Sequence, residues 1–254
     1  MKELIATVKQ NKLIAENIYA MTLTLPESVG EIRGGQFLNL SVGDKVHLLK
    51  RPLGICKVEG DDITVCYQLK GEGTNILSQK VQGDKLAVLL PLGNGFILPE
   101  SVKNVAVIGG GVGVFPLISV IREHLGKVNF HSYIGFRNKQ SVCLMEELEK
   151  SNTLTVTTDD GSVGVKGNAV SAYFADENKV KADLIIACGP PIMLKVLKQK
   201  LIEAGDNTPC LVSLEERMGC GIGACLVCVC KTTSGSNTRV CKDGPVFKIG
   251  EVEL

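Results

Sequence analysis

The sequence predicts a multidomain fold: an N-terminal antiparallel β-barrel over residues 1–98, a central α/β parallel-sheet domain over 99–209, and a small C-terminal domain over 210–254. Three observations carry this division. Up to about residue 98 the apolar segments are short, rich in β-branched residues and separated by Gly, Asp or Pro turns. From about 102 to 215 strand-like and helix-like stretches alternate, the pattern of a parallel sheet covered by helices on both faces. Beyond that, regular hydrophobic periodicity fades, and Cys220, Cys225, Cys228 and Cys230 crowd into eleven positions.

In the first region LIATVKQNKLIA, IYAMTLTL, GQFLNLSV, GICKVEGDDITVCYQL and DKLAVLLPL read as strands, spaced as in an antiparallel barrel or sandwich rather than in crossover units. Gly73-Thr74-Asn75 leads into ILSQK, a short helix with a capping residue at its start. In the second region NVAVIG, VNFHSYIGF, TLTVTT, DLIIAC and CLVSLE are strands, with FPLISVIREHL, CLMEELEK, GNAVSAYFAD and PIMLKVLKQKLIEAG as the intervening helices. Ile192, Leu194, Val196, Leu197 and Leu201 form the core-facing stripe of the last of these. The C-terminal region cannot build much core alone, so a metal centre or packing onto the preceding domains must order it.

The 254 residues are 44% hydrophobic, enough for a substantial core. With 28 Lys plus Arg against 27 Asp plus Glu and no long basic stretch, a dedicated nucleic-acid binder is a poor fit. The N-terminal stretch alternates polar and apolar residues unlike a signal peptide, and no apolar run is long enough to span a bilayer. The expectation is a cytoplasmic chain without membrane or nucleic-acid partners. His47, His124 and His131 have no paired spacing, and there is no Ser-centred nucleophile elbow, so no residue is assigned a catalytic role.

Of the ten cysteines, Cys56, Cys66 and Cys143 lie in apolar or mixed settings and read as small buried side chains. The C-terminal group is different. Cys220, Cys225 and Cys228, separated by four and then two residues, have the plant-type spacing of three ligands to a [2Fe-2S] cluster. Cys241, after twelve more residues, is placed to supply the fourth, with Cys230 the surplus thiol or the alternative fourth ligand. Gly219, Gly221 and Gly223 let the backbone curl so that amides can face the cluster's sulfurs. Zinc shares the ligand chemistry and a disulfide arrangement is a third reading, but zinc ribbons usually pair two short knuckles.

NVAVIGGGVGVFPLISVIREHL sets a glycine turn between a strand and a helix, where phosphate can meet exposed amides. Its pattern, Gly109-x-Gly111-x-Gly113-x-x-Pro116, departs from the usual dinucleotide fingerprint, with Val114 where the third small residue should be. Cys188-Gly189-Pro190-Pro191 joins a second strand to a helix and should share the sheet edge of the first loop, so the two can flank one nucleotide. Asp159-Asp160-Gly161 ends another strand there; its carboxylate either bonds a ribose hydroxyl or makes a turn. No Arg/Lys cluster stands ready for an extra ribose phosphate, which favours NAD over NADP.

Arg51-Pro52-Leu53-Gly54-Ile55 resembles the flavin-barrel motif of ferredoxin reductase-like proteins. Together with GGGVGVFP, CGPPIM and GCGIGACLVC…RVCKDGPVF, the whole chain resembles the electron-transfer subunits of NAD-dependent dihydroorotate dehydrogenases. That resemblance implies FAD in the barrel, NAD in the second domain and one [2Fe-2S] cluster in the third. It also implies that Arg51 faces the FAD pyrophosphate, and that Arg51, Pro52, Leu53, Gly54, Cys66, Tyr67, Gln68, Gly73 and Thr74 touch the flavin. Gly109, Gly111, Gly113, Asp160, Cys188, Gly189 and Pro190 are the corresponding NAD candidates, and Cys220, Cys225, Cys228 and Cys241 the cluster ligands. Gly54 departs from the Ser often found there, which removes one hydroxyl contact to the flavin. The implied partner is an FMN-containing catalytic subunit that oxidises dihydroorotate, in a heterotetramer with two of each subunit. The competing readings are a differently partnered NAD(P)H:acceptor oxidoreductase and a nucleotide-sensing zinc protein.

Overall fold

The computed structural model describes residues 1–44 and 46–254. The first region is a closed barrel of β1 (Lys2–Ala15), β2 (Ile18–Thr24), β3 (Phe37–Leu40), β4 (Arg51–Glu59), β5 (Asp62–Gln68) and β6 (Lys85–Leu92), in the order β1-β2-β5-β4-β3-β6. All its pairings are antiparallel. Alternation does the folding: Ala6 and Val8, Met21 and Leu23, Leu38 and Leu40, and Leu86, Val88 and Leu90 all point into one buried interior. The β4–β5 hairpin turns on Gly60 at φ +62, in the two-residue loop that such a turn favours. Helix α1 (Glu72–Ser78) inserts Leu77 into the barrel core.

That helix begins earlier than its sequence suggests. Gly73 and Thr74 lie inside its first turn rather than ahead of it, and the Thr74 hydroxyl accepts the N–H groups of Lys70 and Gly71 and donates to the Gly71 carbonyl. The hydroxyl stabilises the entry turn from within the helix.

The second region contains β7 (Asn104–Gly110), α2 (Val114–Glu123), β8 (Asn129–Phe136), α3 (Met145–Leu148), β9 (Thr153–Thr158), β10 (Val165–Lys166), α4 (Ala169–Ala175), β11 (Leu184–Cys188), α5 (Pro191–Glu203) and β12 (Cys210–Ser213). The strands line up as β10-β9-β8-β7-β11-β12, all parallel. Strand alternation divides the core: Val105 and Val107 face α2 and α3, while Ala106 and Ile108 face α4 and α5. Helix α3 is shorter than CLMEELEK predicts, because Leu144 takes a left-handed φ of 54 and keeps Cys143 out of it.

The third region adds β13 (Val229–Lys231), β14 (Asn237–Arg239) and β15 (Val246–Lys248). Strand β15 runs antiparallel against β12 and closes the sheet's edge. The sheet thus runs past residue 209, since β12 is one of its strands. Phe37 and Leu92 of the barrel share a small core with Cys228, Val240 and Cys241. Asn94 fastens the same junction, donating to the carbonyls of Asp243 and Val246 and accepting from Val246 N–H.

The barrel docks on α2. Gly34 N–H donates to Glu123 and Gly35 N–H to Ser119 Oγ, and a Cβ on Gly34 would stand 2.6 Å from the Val120 backbone. At the rim of this interface Arg122 of α2 bridges Glu59 of β4 and Glu147 of α3, with Lys57 and Lys150 completing the network.

Candidate functional site

All three regions open onto one cavity of about 300 Å³. The barrel contributes Arg51, Pro52, Leu53 and Gly54 from β4, Cys66, Tyr67 and Gln68 from the end of β5, and Thr74 from α1. The parallel-sheet domain contributes Gly113, Pro116 and Cys188. Arg51 reaches Leu49 O and lies against α1, where a Cβ on Gly73 would be 2.2 Å from Arg51 Nε. Only glycine leaves room for the guanidinium over the start of that helix, so a cation and Thr74 of the first helical turn line the cavity together, a setting suited to phosphate. A Cβ on Gly54 would meet Pro116 of α2 at ordinary van der Waals distance, so the cavity wall leaves space for a small side chain there. The Tyr67 ring stacks on Tyr19, and its phenol is pushed up by burial and donates to Asn11.

The two glycine loops meet as their position on the sheet requires. Gly109 pairs with Cys188 across β7 and β11. A Cβ on Gly113 would stand 2.5 Å from Cys188 O, and one on Gly110 would be 2.7 Å from Met193 Sδ and 3.2 Å from Pro190. This is a cradle that side chains would fill. Gly111, at φ +54, makes the turn, and Pro191 opens α5. Burial pushes the Cys188 thiol up to about 12 against the opposing contact from Ser213, so it is a neutral thiol at physiological pH rather than a nucleophile. Asp160 sits beyond the end of β9 at the same sheet edge but does not line the cavity; its carboxylate accepts the N–H and hydroxyl of Ser162, which make the turn.

The four cysteines of the C-terminal pattern fall into two linked pairs. Cys220 N–H donates to Cys225 Sγ and Cys225 N–H to Cys220 Sγ; Cys241 N–H donates to Cys228 Sγ. Gly223 N–H donates to Cys241 Sγ, which joins the pairs, and Ile222 and Ala224 add N–H donors to Cys220 Sγ. Burial raises the Cys220 thiol, but the amides of Ile222, Cys225 and Ala224 outweigh it and bring it down to about 6. Burial and the neighbouring Cys228 push Cys241 up to about 12, opposed by Gly223 N–H. Among the described residues no three His, Cys, Asp or Glu side chains are arranged to hold a single metal ion. Two pairs of thiols with backbone amides aimed at their sulfurs suit a cluster with two iron atoms better than one tetrahedral zinc. Cys230 is on β13 and packs among apolar neighbours.

Reading by residue missed one wall of the cavity. Ser213, Leu214, Glu215, Glu216 and Met218, the segment leading from β12 into the cysteine loop, line it together with Cys188 and Pro245. The pairing of β12 with β15 puts them there, and that register is a long-range feature with no local signal.

Comparison with known proteins agrees with this arrangement. The family described as the iron–sulfur cluster binding domain of dihydroorotate dehydrogenase B matches residues 215–253. A dihydroorotate dehydrogenase B (NAD(+)) electron transfer subunit from Streptococcus mutans is 40% identical over all of this chain and 99% of its own. The protein of the same name from Bacillus velezensis is 41% identical over the full length of both. Among solved structures, an NADH-dependent reduced ferredoxin-NADP oxidoreductase studied for flavin-based electron bifurcation superposes with a TM-score of 0.88 at 31% identity, over 98% of this chain and 89% of that one.

Proposed function

The chain belongs to the family of dihydroorotate dehydrogenase B electron transfer subunits, and from that membership we propose that it carries electrons from a catalytic partner subunit to NAD⁺. The observation that carries this reading is the shared cavity: barrel motif, glycine cradle and the segment entering the cysteine loop all line or border one space. When bound, a [2Fe-2S] cluster supplies one-electron exchange and FAD supplies the conversion between single electrons and a pair.

The chain's own residues divide the work. Cys220, Cys225, Cys228 and Cys241 are assigned as the cluster's ligands, the first already inclined to ionise through its amide donors. Arg51, with Gly73 and Thr74 at the start of α1, is assigned to the flavin's phosphates, and Pro52, Leu53, Gly54, Cys66, Tyr67 and Gln68 to its remaining contacts. Gly109, Gly111, Gly113, Cys188, Gly189 and Pro190 are assigned to NAD, whose phosphates need the close backbone approach that these glycines allow. The Cys188 thiol stays protonated and shapes the wall without forming a bond. Asp160 is held for a ribose hydroxyl, at the cost of its contact with Ser162.

The partner in this reading is an FMN-containing subunit that oxidises dihydroorotate, assembled two of each. The likeness to the ferredoxin-NADP oxidoreductase favours a ferredoxin-linked partner as the second reading. Anaerobic purification of the chain alone and with a candidate FMN subunit decides between them. Alone it should hold FAD, iron and acid-labile sulfide and pass electrons from NADH to dyes; dihydroorotate-dependent NAD⁺ reduction should need the complex. Absence of both FAD and sulfide from carefully prepared protein would overturn the proposal, and loaded complex with no dihydroorotate activity would favour the second reading.

A further inference from the structure

Strand β3 has two faces of different character. Leu38 and Leu40 are buried in the barrel interior, whereas Phe37 and Asn39, alternating with them, face the cysteine-rich region. Phe37 packs with Cys228, Val240 and Cys241. Asn39, only 1% exposed, donates from Nδ2 to the backbone carbonyl of Cys220 at 3.3 Å. The loop approaches so closely that a Cβ on Gly221, at φ +74, would stand 2.2 Å from that nitrogen. On its other side Asn39 is registered opposite Pro52, in the stretch of β4 that lines the cavity.

The same side chain carries an orphan. Asn39 Oδ1 is buried and has no hydrogen-bond partner among the described residues. A buried unsatisfied oxygen costs stability, and a leucine of nearly the same shape would satisfy the packing without it. The amide is therefore poorly explained by folding and well explained by what Nδ2 holds.

We propose that Asn39 is a positioning residue for the iron–sulfur centre. By holding the Cys220 carbonyl it keeps the amides of Ile222, Ala224 and Cys225 aimed at Cys220 Sγ. Amide donors to a ligating sulfur stabilise the added electron and raise the reduction potential, so releasing the loop lowers it. The inference rests on the four-thiol assignment above, and Asn39 acts through the backbone carbonyl of Cys220.

The test uses Asn39→Leu and Asn39→Ser in the FAD- and cluster-loaded chain, read by iron and sulfide content, the paramagnetic resonance of the reduced cluster, and separate redox titrations of cluster and flavin. Both variants should show an altered resonance and a cluster holding its electron about tenfold less tightly, about 59 mV lower, with the flavin's potential unchanged. In the metal-free chain the amides of Ile222, Ala224 and Cys225 should exchange faster with solvent while barrel amides do not change. An unchanged resonance and potential in a loaded variant, or unchanged loop exchange in both metal-free variants, would overturn the proposal. Full iron and sulfide in Cys225→Ser would instead sink the ligand assignment beneath it.

Discussion

Glycines and charged side chains at the cavity make the sharpest residue-scale statements. Gly73→Ala puts a methyl group where Arg51 Nε stands, 2.2 Å away, and the guanidinium must leave. The expected result is FAD affinity reduced at least tenfold, since a charge-assisted hydrogen bond is worth about 1.5–3 kcal/mol, with an apoprotein that melts no lower than wild type. Flavin-fluorescence titration beside a melting curve checks both. His47 offers a pH test. Its ring bridges Glu72 of α1 and Asp44, and those two hydrogen bonds raise its pKa. A raised pKa means the clasp contributes fully below about 6.5, the ordinary histidine value, and is lost as pH rises through the folded value. Proteolysis of the segment 46–50 should therefore quicken above neutrality, and His47→Gln should make it insensitive to pH in that range. The proposed cluster ligands stand out in the sequence because their spacing is local, and Arg51 because its motif is contiguous. Asn39 and Glu216 do not, since the contact of Asn39 with Cys220 and the place of Glu216 in the cavity wall arise only when β3 and β12 are brought against the cysteine-rich region.

Contacts between elements decide how the two larger regions hold together. Gly113→Ala sets a Cβ 2.5 Å from Cys188 O and 2.6 Å from Gly189 N, both backbone, so α2 and β11 must separate. Overpacking of this kind costs about 1–3 kcal/mol. Urea unfolding should show that loss, and the Michaelis constant for NADH in dye reduction should rise with it. Arg122 is the keystone of the ion network between β4, α2 and α3. Burial would raise the Glu147 carboxyl, but Lys150 and Arg122 hold it below its ordinary value. That depressed value gives stability that is present above about pH 4.3 and lost as pH falls through the folded pKa. Arg122→Ala should cost about 1–3 kcal/mol at neutral pH and flatten the acid limb of the stability profile, a result that denaturant titrations at several pH values would show. Most strands and helices could be placed from periodicity, because alternation and the 3.6-residue stripe reflect burial directly. Helix α3 is the exception, because the left-handed Leu144 that truncates it leaves no mark in composition.

At the scale of the molecule, the barrel, parallel sheet and cysteine-rich region could each be recognised from local pattern, but their mutual arrangement could not. Strand β15 returns to pair with β12, which ties the cysteine-rich region to the sheet, while Phe37, Asn39 and Asn94 tie it to the barrel. A region too short to build much core alone is thus held between two larger bodies, beside the cavity that they share. Electron transfer to NAD⁺ requires a continuous route through this junction. Anaerobic titration of the loaded chain with NADH, followed by visible absorption and paramagnetic resonance, tests it most directly. Both flavin and cluster should be reduced in wild type, and Cys225→Ser should leave flavin reduction intact while abolishing the cluster's signal; a loaded wild-type cluster that stays oxidised while the flavin bleaches would contradict it.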